Sequence, residues 1–192
     1  MQTQLSDKNF LEAAALIGCD VKAIKAVTSV EAPKGGFQAD GNLTILFEPY
    51  IFWKQLRQHG INPSTLLKGN EDILSPVWNP KLYGKYSSQW TKLQKATMIN
   101  KVAAYESASY GMFQIMGFNY KTCGYTDVFQ FTDALKLGVD IQLKSFCTYI
   151  INSHLDDELK NLDWISFARA YNGPSYWKNN YDKKIKAAFL KA

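Results

Sequence analysis

The sequence is poor in the residue types on which metal-dependent and thiol-dependent enzymes rely. Its 192 residues include two histidines and three cysteines. It has no HExxH pair and no Cys/His cluster with metal-site spacing, whereas a catalytic zinc ion needs about three good protein ligands. A GxSxG element and a phosphate-binding P-loop are also missing. We therefore expect no metal and no other cofactor.

The three cysteines do not suggest a disulfide framework, because their number is odd and their spacings are long. Cys19, Cys123 and Cys147 stand beside apolar residues, so we interpret them as buried, reduced thiols. Cys147 and His154 are the candidates for a thiol–imidazole pair. However, Cys147 lies in the apolar helical run KSFCTYII, which favours a packed thiol.

Long apolar runs are missing as well. No stretch approaches the roughly 20 apolar residues that span a bilayer. The N-terminal stretch MQTQLSDKNFLEAAALIG has no basic region, and acidic residues interrupt its apolar part. It does not resemble a signal peptide. A role outside the cytosol would therefore require another route of exit.

The chain has a moderate basic excess, with 22 Lys and Arg against 17 Asp and Glu and a formal net charge of +5. This excess favours polyanionic partners such as nucleic acid, anionic lipid or an acidic cell wall. The basic residues are dispersed except in the C-terminal stretch DKKIKAAFLKA. Dispersed charge is weaker evidence for nucleic-acid binding than a basic stripe.

Local patterns predict a single, mainly α domain over residues 1–192 with one small β element. Ser6 and Asp20 are candidate N-caps of the first two helices, and Gly18 is a candidate helix stop. The stretch NLTILFE predicts a strand, and ADGN before it predicts the turn of a hairpin. A turn-rich loop is expected over 61–88. Further helices are predicted over 49–60, 88–105, 111–118, 128–151, 162–169 and 176–190.

Carboxylates remain as candidates for demanding chemistry. Glu31 follows an apolar helical pattern and precedes Pro33, where the negative end of a helix dipole and partial burial would both keep a carboxyl protonated. Such a group suits general acid catalysis. Glu48 ends the run LTILFE, and Glu106 lies among serines and apolar residues in AAYESASYGMFQIMGF. Taken alone, each glutamate is better interpreted as a solvated or salt-bridged surface residue.

Three sequence blocks change this assessment. SYGMFQIMG resembles the S-x-x-G-L-M-Q-I-M motif of goose-type lysozymes and lytic transglycosylases, and ARAYNGPSYW resembles their A-Y-N-G-P element. The upstream VEAPKGGF…DGN…ILFEPYIF is similar to V-E-S-x-G-x-G-F…D-G-R…I-L-F-E-R-H of the phage N-acetylmuramidases. The blocks stand in family order and span about residues 20–182. The chain departs from the pattern at Ala32-Pro33, Asn42-Leu43 and Pro49-Tyr50.

The resemblance implies a lysozyme-like α+β fold: a helical globule with one small β-hairpin or short sheet beside the cleft. It also implies cleavage of the β-1,4 bond between N-acetylmuramic acid and N-acetylglucosamine, with Glu31 as general acid. Glu48 is the first candidate for a second carboxylate, followed by Asp40 and Glu106. The implied substrate-binding residues are Asp40, Glu106, Ser109, Gln114, Tyr171 and Asn172, and Glu106 has a second possible role in orienting the Ser109–Gln114 turn.

The resemblance further implies an endolysin that is made in the host cytoplasm without a signal peptide and reaches the periplasmic wall through a holin-type pore. The expected partner is the glycan strand of peptidoglycan, with no nucleic acid and a monomeric state. The basic C-terminal helix is a candidate for contact with anionic membrane or lipopolysaccharide. A lytic transglycosylase that forms 1,6-anhydro products, an inactive wall-binding module and a nucleic-acid-binding helical module remain as alternatives.

Overall fold

The computed structural model describes residues 2–32 and 35–192. Helices dominate this part of the chain, and a small sheet joins them. The helices are α1 (Asp7–Ile17), α2 (Val21–Glu31), α3 (Pro49–Gln58), α4 (Gln89–Thr97), α5 (Lys101–Glu106), α6 (Val128–Leu135), α7 (Val139–Asn152), α8 (Asp156–Lys160), α9 (Trp164–Asn172) and α10 (Tyr181–Phe189). The strands are β1 (Ile45–Phe47), β2 (Ala108–Tyr110) and β3 (Ile115–Met116).

The first two helices begin at the predicted caps. The Ser6 hydroxyl accepts a hydrogen bond from the Asn9 backbone N–H, and the Ser6 backbone N–H donates to Asn9 Oδ1. Gly18 ends α1 with a φ of 80°, a conformation that glycine adopts without a steric penalty. An Asp20 carboxylate oxygen accepts from the Lys22 N–H at 2.8 Å and caps α2. Helix α2 then ends at Glu31, so the local signals placed both helices correctly.

The predicted hairpin turn is also present. Phe37 and Leu43 form an antiparallel bridge, and the Gln38 N–H donates to the Asn42 carbonyl at 2.7 Å. Gly41 between them has a φ of 82°. Strand β1 is shorter than the predicted NLTILFE because its regular pairing begins only at Ile45. Pro33 lies outside the described residues.

The prediction of a helix over 111–118 was wrong. Strand β2 pairs with both β1 and β3 in an antiparallel sheet of order β1-β2-β3, with Ile45 opposite Tyr110 and Ser109 opposite Met116. Gly111 and Gln114 have φ values of 70° and 49°, which a right-handed helix does not allow. Short apolar runs cannot be assigned to helix or strand by periodicity alone.

Two long predicted helices are each divided. The stretch 88–105 forms α4 and α5, because the Asn100 side chain accepts from the Ala103 N–H and starts a new helix. The stretch 128–151 is divided into α6 and α7, and Gly138 at the break forms a bridge with Gln2. Helix α8 was not predicted. The loop over 61–88 contains only short 3-10 helices, at Pro63–Leu66, Pro80–Leu82 and Tyr86–Ser88, so that prediction is confirmed.

A single apolar core connects the sheet with the helices. Phe47, Phe131, Phe146 and Phe167 are fully enclosed in it. Helix α10 packs against α2 and α9, and its Ile185 is completely buried. No helix within residues 2–32 and 35–192 is long and apolar enough to cross a membrane.

The cysteines are free thiols, as predicted. Cys123 and Cys147 are buried, whereas Cys19 is partly exposed, so the prediction of burial was wrong for Cys19. Burial raises the pKa of the Cys123 and Cys147 thiols to about 12. A protonated thiol is a poor nucleophile, so these residues act as apolar packing groups.

Candidate active site

Glu31 is the last residue of α2, and its side chain faces a pocket of ≈ 180 Å³. The pocket walls come from separate parts of the chain. They are formed by Thr44 before β1, Gly111 and Gln114 in the β2–β3 turn, Tyr86 in the 3-10 helix at 86–88 and Tyr181 in α10. The fold thus places a carboxyl beside a polar recess that is open to solvent.

The environment of Glu31 favours its protonated form. Burial raises the pKa of this carboxyl above its usual range. Two weaker effects oppose that shift: the Asn172 side-chain amide donates to Glu31 Oε1 at 3.0 Å, and the Lys184 ammonium attracts the anion. Asn172 ends α9, 141 positions along the chain from Glu31. The predicted Glu31 and Asn172 are therefore in direct contact.

The β2–β3 turn holds the predicted Gln114 at the pocket wall, and the predicted Ser109, buried in β2, is bonded to it. The Ser109 hydroxyl donates to Gln114 Oε1 at 3.0 Å, and Gln114 Nε2 donates to the Gly111 carbonyl at 2.7 Å. The Gly111 N–H donates to the Thr44 carbonyl at 2.8 Å, which attaches the turn to the strand β1 side of the pocket. The positive φ of Gln114 is held by these bonds and brings its side chain to the pocket wall.

Gln142 of α7 fixes this turn and was missed by the sequence reasoning. Its side chain is 2% exposed; Oε1 accepts from the Met112 N–H at 2.8 Å and Nε2 donates to the Leu135 carbonyl at 3.0 Å. A side chain on Gly111 would come within 2.8 Å of Gln142. The only available signal was a glutamine inside the otherwise apolar face of a predicted helix.

Tyr171 lies behind the pocket. Its hydroxyl donates to the Phe113 carbonyl at 3.0 Å, and its ring stacks on Phe167 with a centroid distance of 5.6 Å. Burial raises the pKa of this hydroxyl well above its usual range, and the Glu31 charge acts in the same direction. The Tyr171 hydroxyl proton is used in the bond to Phe113, and this bond joins α9 to the β2–β3 turn. A contact between Tyr171 and the sugar remains a prediction.

Glu48 lies at the opposite end of β1 from Thr44, about 13 Å along an extended strand. The Tyr83 hydroxyl donates to Glu48 Oε2 at 2.5 Å. Burial raises the pKa of the Glu48 carboxyl, and the bond from Tyr83 opposes that shift. Glu48 does not line the Glu31 pocket.

The other two predicted carboxylates are also separate from that pocket. Glu106 is buried, and a hydrogen bond of 2.7 Å between its Oε2 and His59 Nε2 connects α5 to the end of α3. Asp40 is exposed, and bonds from the Asn42 N–H and side-chain amide hold the pKa of its carboxyl below the usual range. The structure thus places Glu31 and Gln114 at one pocket, with Asn172 bonded to Glu31 and Ser109 bonded to Gln114, and leaves Glu48, Asp40 and Glu106 elsewhere.

The part of the chain that the structure describes contains no group of three or more His, Cys, Asp or Glu side chains that could hold a metal ion. A larger groove of ≈ 410 Å³ between α1 and α7 has a mainly apolar lining. Its acidic residues, Glu12 and Asp140, come from different helices, and none of the predicted site residues lines it. The Glu31 pocket is therefore the better candidate.

Comparison with known proteins identifies the family. A family model described as N-acetylmuramidase matches residues 20–192. The chain belongs to the N-acetylmuramidase family. Its membership confirms the predicted resemblance and makes the chain a peptidoglycan-degrading hydrolase.

The structure agrees with that assignment. It is similar to the crystal structure of Burkholderia AP3 phage endolysin, with a TM-score of 0.91 and 33% sequence identity over 98% of this chain and 71% of that chain. The predicted lysozyme-like fold class is thereby confirmed. A comparison with curated proteins found no match.

Proposed function

We propose that this N-acetylmuramidase-family chain is a phage endolysin that hydrolyses the β-1,4 bond between N-acetylmuramic acid and N-acetylglucosamine, with Glu31 as general acid. The observation that carries the proposal is the Glu31 carboxyl, which faces an open polar pocket while burial raises its pKa. A general acid must hold a proton at working pH, and its pKa is best placed near that pH.

In the proposed reaction, Glu31 gives its proton to the glycosidic oxygen as the bond to the sugar breaks. Asn172 holds Oε1, so that Oε2 is the oxygen available to the substrate. Gln114 is proposed to offer its side-chain amide to the acetamido sugar, with Ser109 holding Gln114 Oε1 and Tyr171 keeping the turn in place. Asp40 and Glu106 are proposed for more distant sugar contacts and for supporting the turn, respectively.

Glu48 is the proposed second carboxylate. Glycosidases commonly pair an acid with a carboxylate that activates water or stabilises the developing positive charge. Its position at the rigid end of β1, in a different environment from Glu31, supports this division of roles. The reaction would be retaining at a carboxyl separation of roughly 5–5.5 Å and inverting at roughly 6.5–9.5 Å.

Digestion of purified peptidoglycan tests the proposal directly. Mass spectrometry should find muropeptides with a reducing N-acetylmuramic acid end that has gained one water. Products with a 1,6-anhydro ring would instead establish a lytic transglycosylase, and an N-acetylglucosamine reducing end would exclude a muramidase.

The role of Glu31 is tested by Glu31→Gln, with Glu12→Gln as the matched control because Glu12 is exposed and, within the described residues, its one salt bridge is to Lys8. Loss of a general acid typically costs about 10²–10⁴-fold in rate. A folded Glu31→Gln protein that keeps more than about a tenth of the wild-type rate would contradict the assignment.

The proposed setting is host lysis at phage release. The chain would be made in the host cytoplasm, pass a holin-type pore and act on periplasmic peptidoglycan as a monomer. The exposed lysines of α10 would add electrostatic attraction to anionic membrane or lipopolysaccharide. Nucleic acid is not a proposed partner, since the remaining basic residues are dispersed.

A further inference from the structure

The loop before α4 forms a hydrogen-bonded line that ends on Glu48. The Trp78 indole N–H donates to the Tyr83 hydroxyl oxygen at 2.8 Å, and the Tyr83 hydroxyl donates to Glu48 Oε2 at 2.5 Å. An indole nitrogen can only donate. The single hydroxyl proton of Tyr83 is therefore directed at Glu48, and Oε2 must act as an acceptor.

The backbone on both sides of this contact is fixed by buried groups. Gln89 is fully buried; its Oε1 accepts from the Phe47 N–H at 3.0 Å and its Nε2 donates to the Tyr83 carbonyl at 2.7 Å. The Gln89 side chain thus links the backbone of Phe47, the residue before Glu48, to the backbone of Tyr83. Lys92 adds a bond to the Tyr83 carbonyl at 2.8 Å.

The backbone at Glu48 and Pro49 is hydrogen-bonded to two other segments of the chain. Its N–H donates to the Ser107 carbonyl at 2.9 Å, which lies at the end of α5. The next residue, Pro49, accepts at its carbonyl from the Ser75 N–H at 3.3 Å. These bonds fix the backbone from which the Glu48 side chain extends, and a carboxylate that must keep one orientation requires such a fixed backbone.

We propose that Tyr83 is a positioning residue for the reaction, which holds Glu48 ionised with Oε1 left for substrate or water, and that Trp78 and Gln89 orient Tyr83. The inference rests on the proposed role of Glu48 as second carboxylate. Burial of Glu48 favours its neutral form, and the hydroxyl bond from Tyr83 counteracts that tendency. Without Tyr83 the carboxyl would take up a proton at higher pH and lose its charge.

The effect of Tyr83 on the titration of Glu48 can be separated from the effects of other charged groups. In the described parts of the chain, burial and the Tyr83 bond are the two influences that shift its titration. Glu106 on the neighbouring α5 is occupied by His59, and Lys92 on α4 is directed at the backbone of Leu82 and Tyr83. A change at Tyr83 is therefore expected to act through Glu48.

The test uses Tyr83→Phe, which removes one oxygen and keeps the ring. Tyr125→Phe is the matched control, since it removes another partly buried hydroxyl, one that bonds Ser145 at 2.7 Å far from Glu48 in the chain. The titration of the Glu48 carboxyl is followed by NMR in protein with ¹³C-labelled glutamate, and the signal is assigned by its loss in Glu48→Gln. The pH profile of kcat/KM is measured on purified peptidoglycan.

In Tyr83→Phe we expect the Glu48 pKa to rise by about one unit, the scale of one lost hydrogen bond to a charged group. Because Glu48 must be ionised, the acid limb of kcat/KM should move to higher pH by the same amount, about a tenfold loss at a pH on that limb. Trp78→Phe should give a smaller shift in the same direction, and Tyr125→Phe none.

An unchanged Glu48 titration in folded Tyr83→Phe would overturn the inference, as would an acid limb that does not follow a measured shift. Failure of the proposed function is recognised separately. If Glu48→Gln cleaves peptidoglycan at the wild-type rate, Glu48 is not the second carboxylate. If Glu48→Gln is inactive and Tyr83→Phe titrates normally, only the role of Tyr83 is wrong.

Discussion

Glu31 shows how one residue can be costly for the fold and useful for chemistry. It ends α2, where the helix dipole disfavours an anion, and burial acts in the same direction. Its folded-state pKa therefore lies above the unfolded value of about 4.5. Stability from this group is fully present below the unfolded pKa and is lost as pH rises through the folded pKa.

This residue gives the first prediction. Glu31→Gln should raise the melting temperature at pH 7, because the neutral amide can keep the bond from Asn172 and carries no buried charge. The gain should disappear below about pH 4, where the wild-type carboxyl is protonated in both states. Thermal unfolding followed by circular dichroism at both pH values checks this, with Glu12→Gln as control. A lower melting temperature at pH 7 would show that the charge of Glu31 is stabilised in the folded protein.

Asn172 gives the second prediction. Its amide is the larger of the two influences that lower the pKa of Glu31. In Asn172→Leu the pKa should rise further, and the basic limb of kcat/KM should move to higher pH, since a general acid works only while protonated. The rate at the optimum should fall if Asn172 also holds the sugar. A pH profile on purified peptidoglycan measures both effects, and a basic limb that moves to lower pH would exclude this role.

Among the elements, the β2–β3 turn is the one that tertiary contacts determine most strongly. Its strands are three and two residues long, too short to be stable without support. Gln142 supplies that support from α7, and Tyr171 supplies it from α9. The order of the β2–β3 turn, and of the pocket wall that it forms, therefore depends on these two contacts.

Gln142 gives the third prediction. Gln142→Leu would leave the buried Met112 N–H and Leu135 carbonyl without partners, at about 1–3 kcal/mol for each group. We expect a loss of about 2–4 kcal/mol in the free energy of unfolding and a lower kcat, because the turn that carries Gln114 would lose its support. Urea denaturation and peptidoglycan assays measure these quantities. Gln94→Leu on the exposed face of α4 is the control and should change neither the free energy of unfolding nor kcat. Equal effects of the two variants would show that Gln142 does not support the site.

At the scale of the whole molecule, α10 contributes both to the fold and to the pocket. Its buried Ile185 faces the core, Tyr181 lines the pocket, and Lys184 acts on the charge of Glu31. Ala188 and Phe189 also pack on the core, so the apolar face of this helix is docked. A docked face cannot also enter a membrane, so contact with anionic lipid would be electrostatic.

The basic face gives the fourth prediction. Lys183, Lys186 and Lys191 are exposed and can be changed together to glutamine without removing Lys184 from the Glu31 environment. Activity on purified peptidoglycan should stay near the wild-type rate. Binding to anionic vesicles should weaken by up to about 1 kcal/mol per lysine at low salt and become less sensitive to salt. Vesicle co-sedimentation at two salt concentrations decides this, and equal binding by both proteins would leave α10 as a packing helix alone.

The sequence by itself determined the family, the fold class and the features that depend on neighbouring residues. Ser6, Gly18 and Asp20 marked helix ends correctly because a cap is formed within about three positions of the chain. The three motif blocks placed Glu31, Gln114 and Asn172 in one family pattern, and the fold brings them to one pocket.

The tertiary structure alone decided the sheet and the partners of each carboxylate. The run over 111–118 is apolar enough for a helix, yet the pairing of Ile115–Met116 with β2 and support from Gln142 make it a turn and a strand. Glu48 and Glu106 looked similar in sequence, but they meet Tyr83 and His59, 35 and 47 positions away. Such contacts depend on which distant segments the core brings together, and no local pattern contains that information.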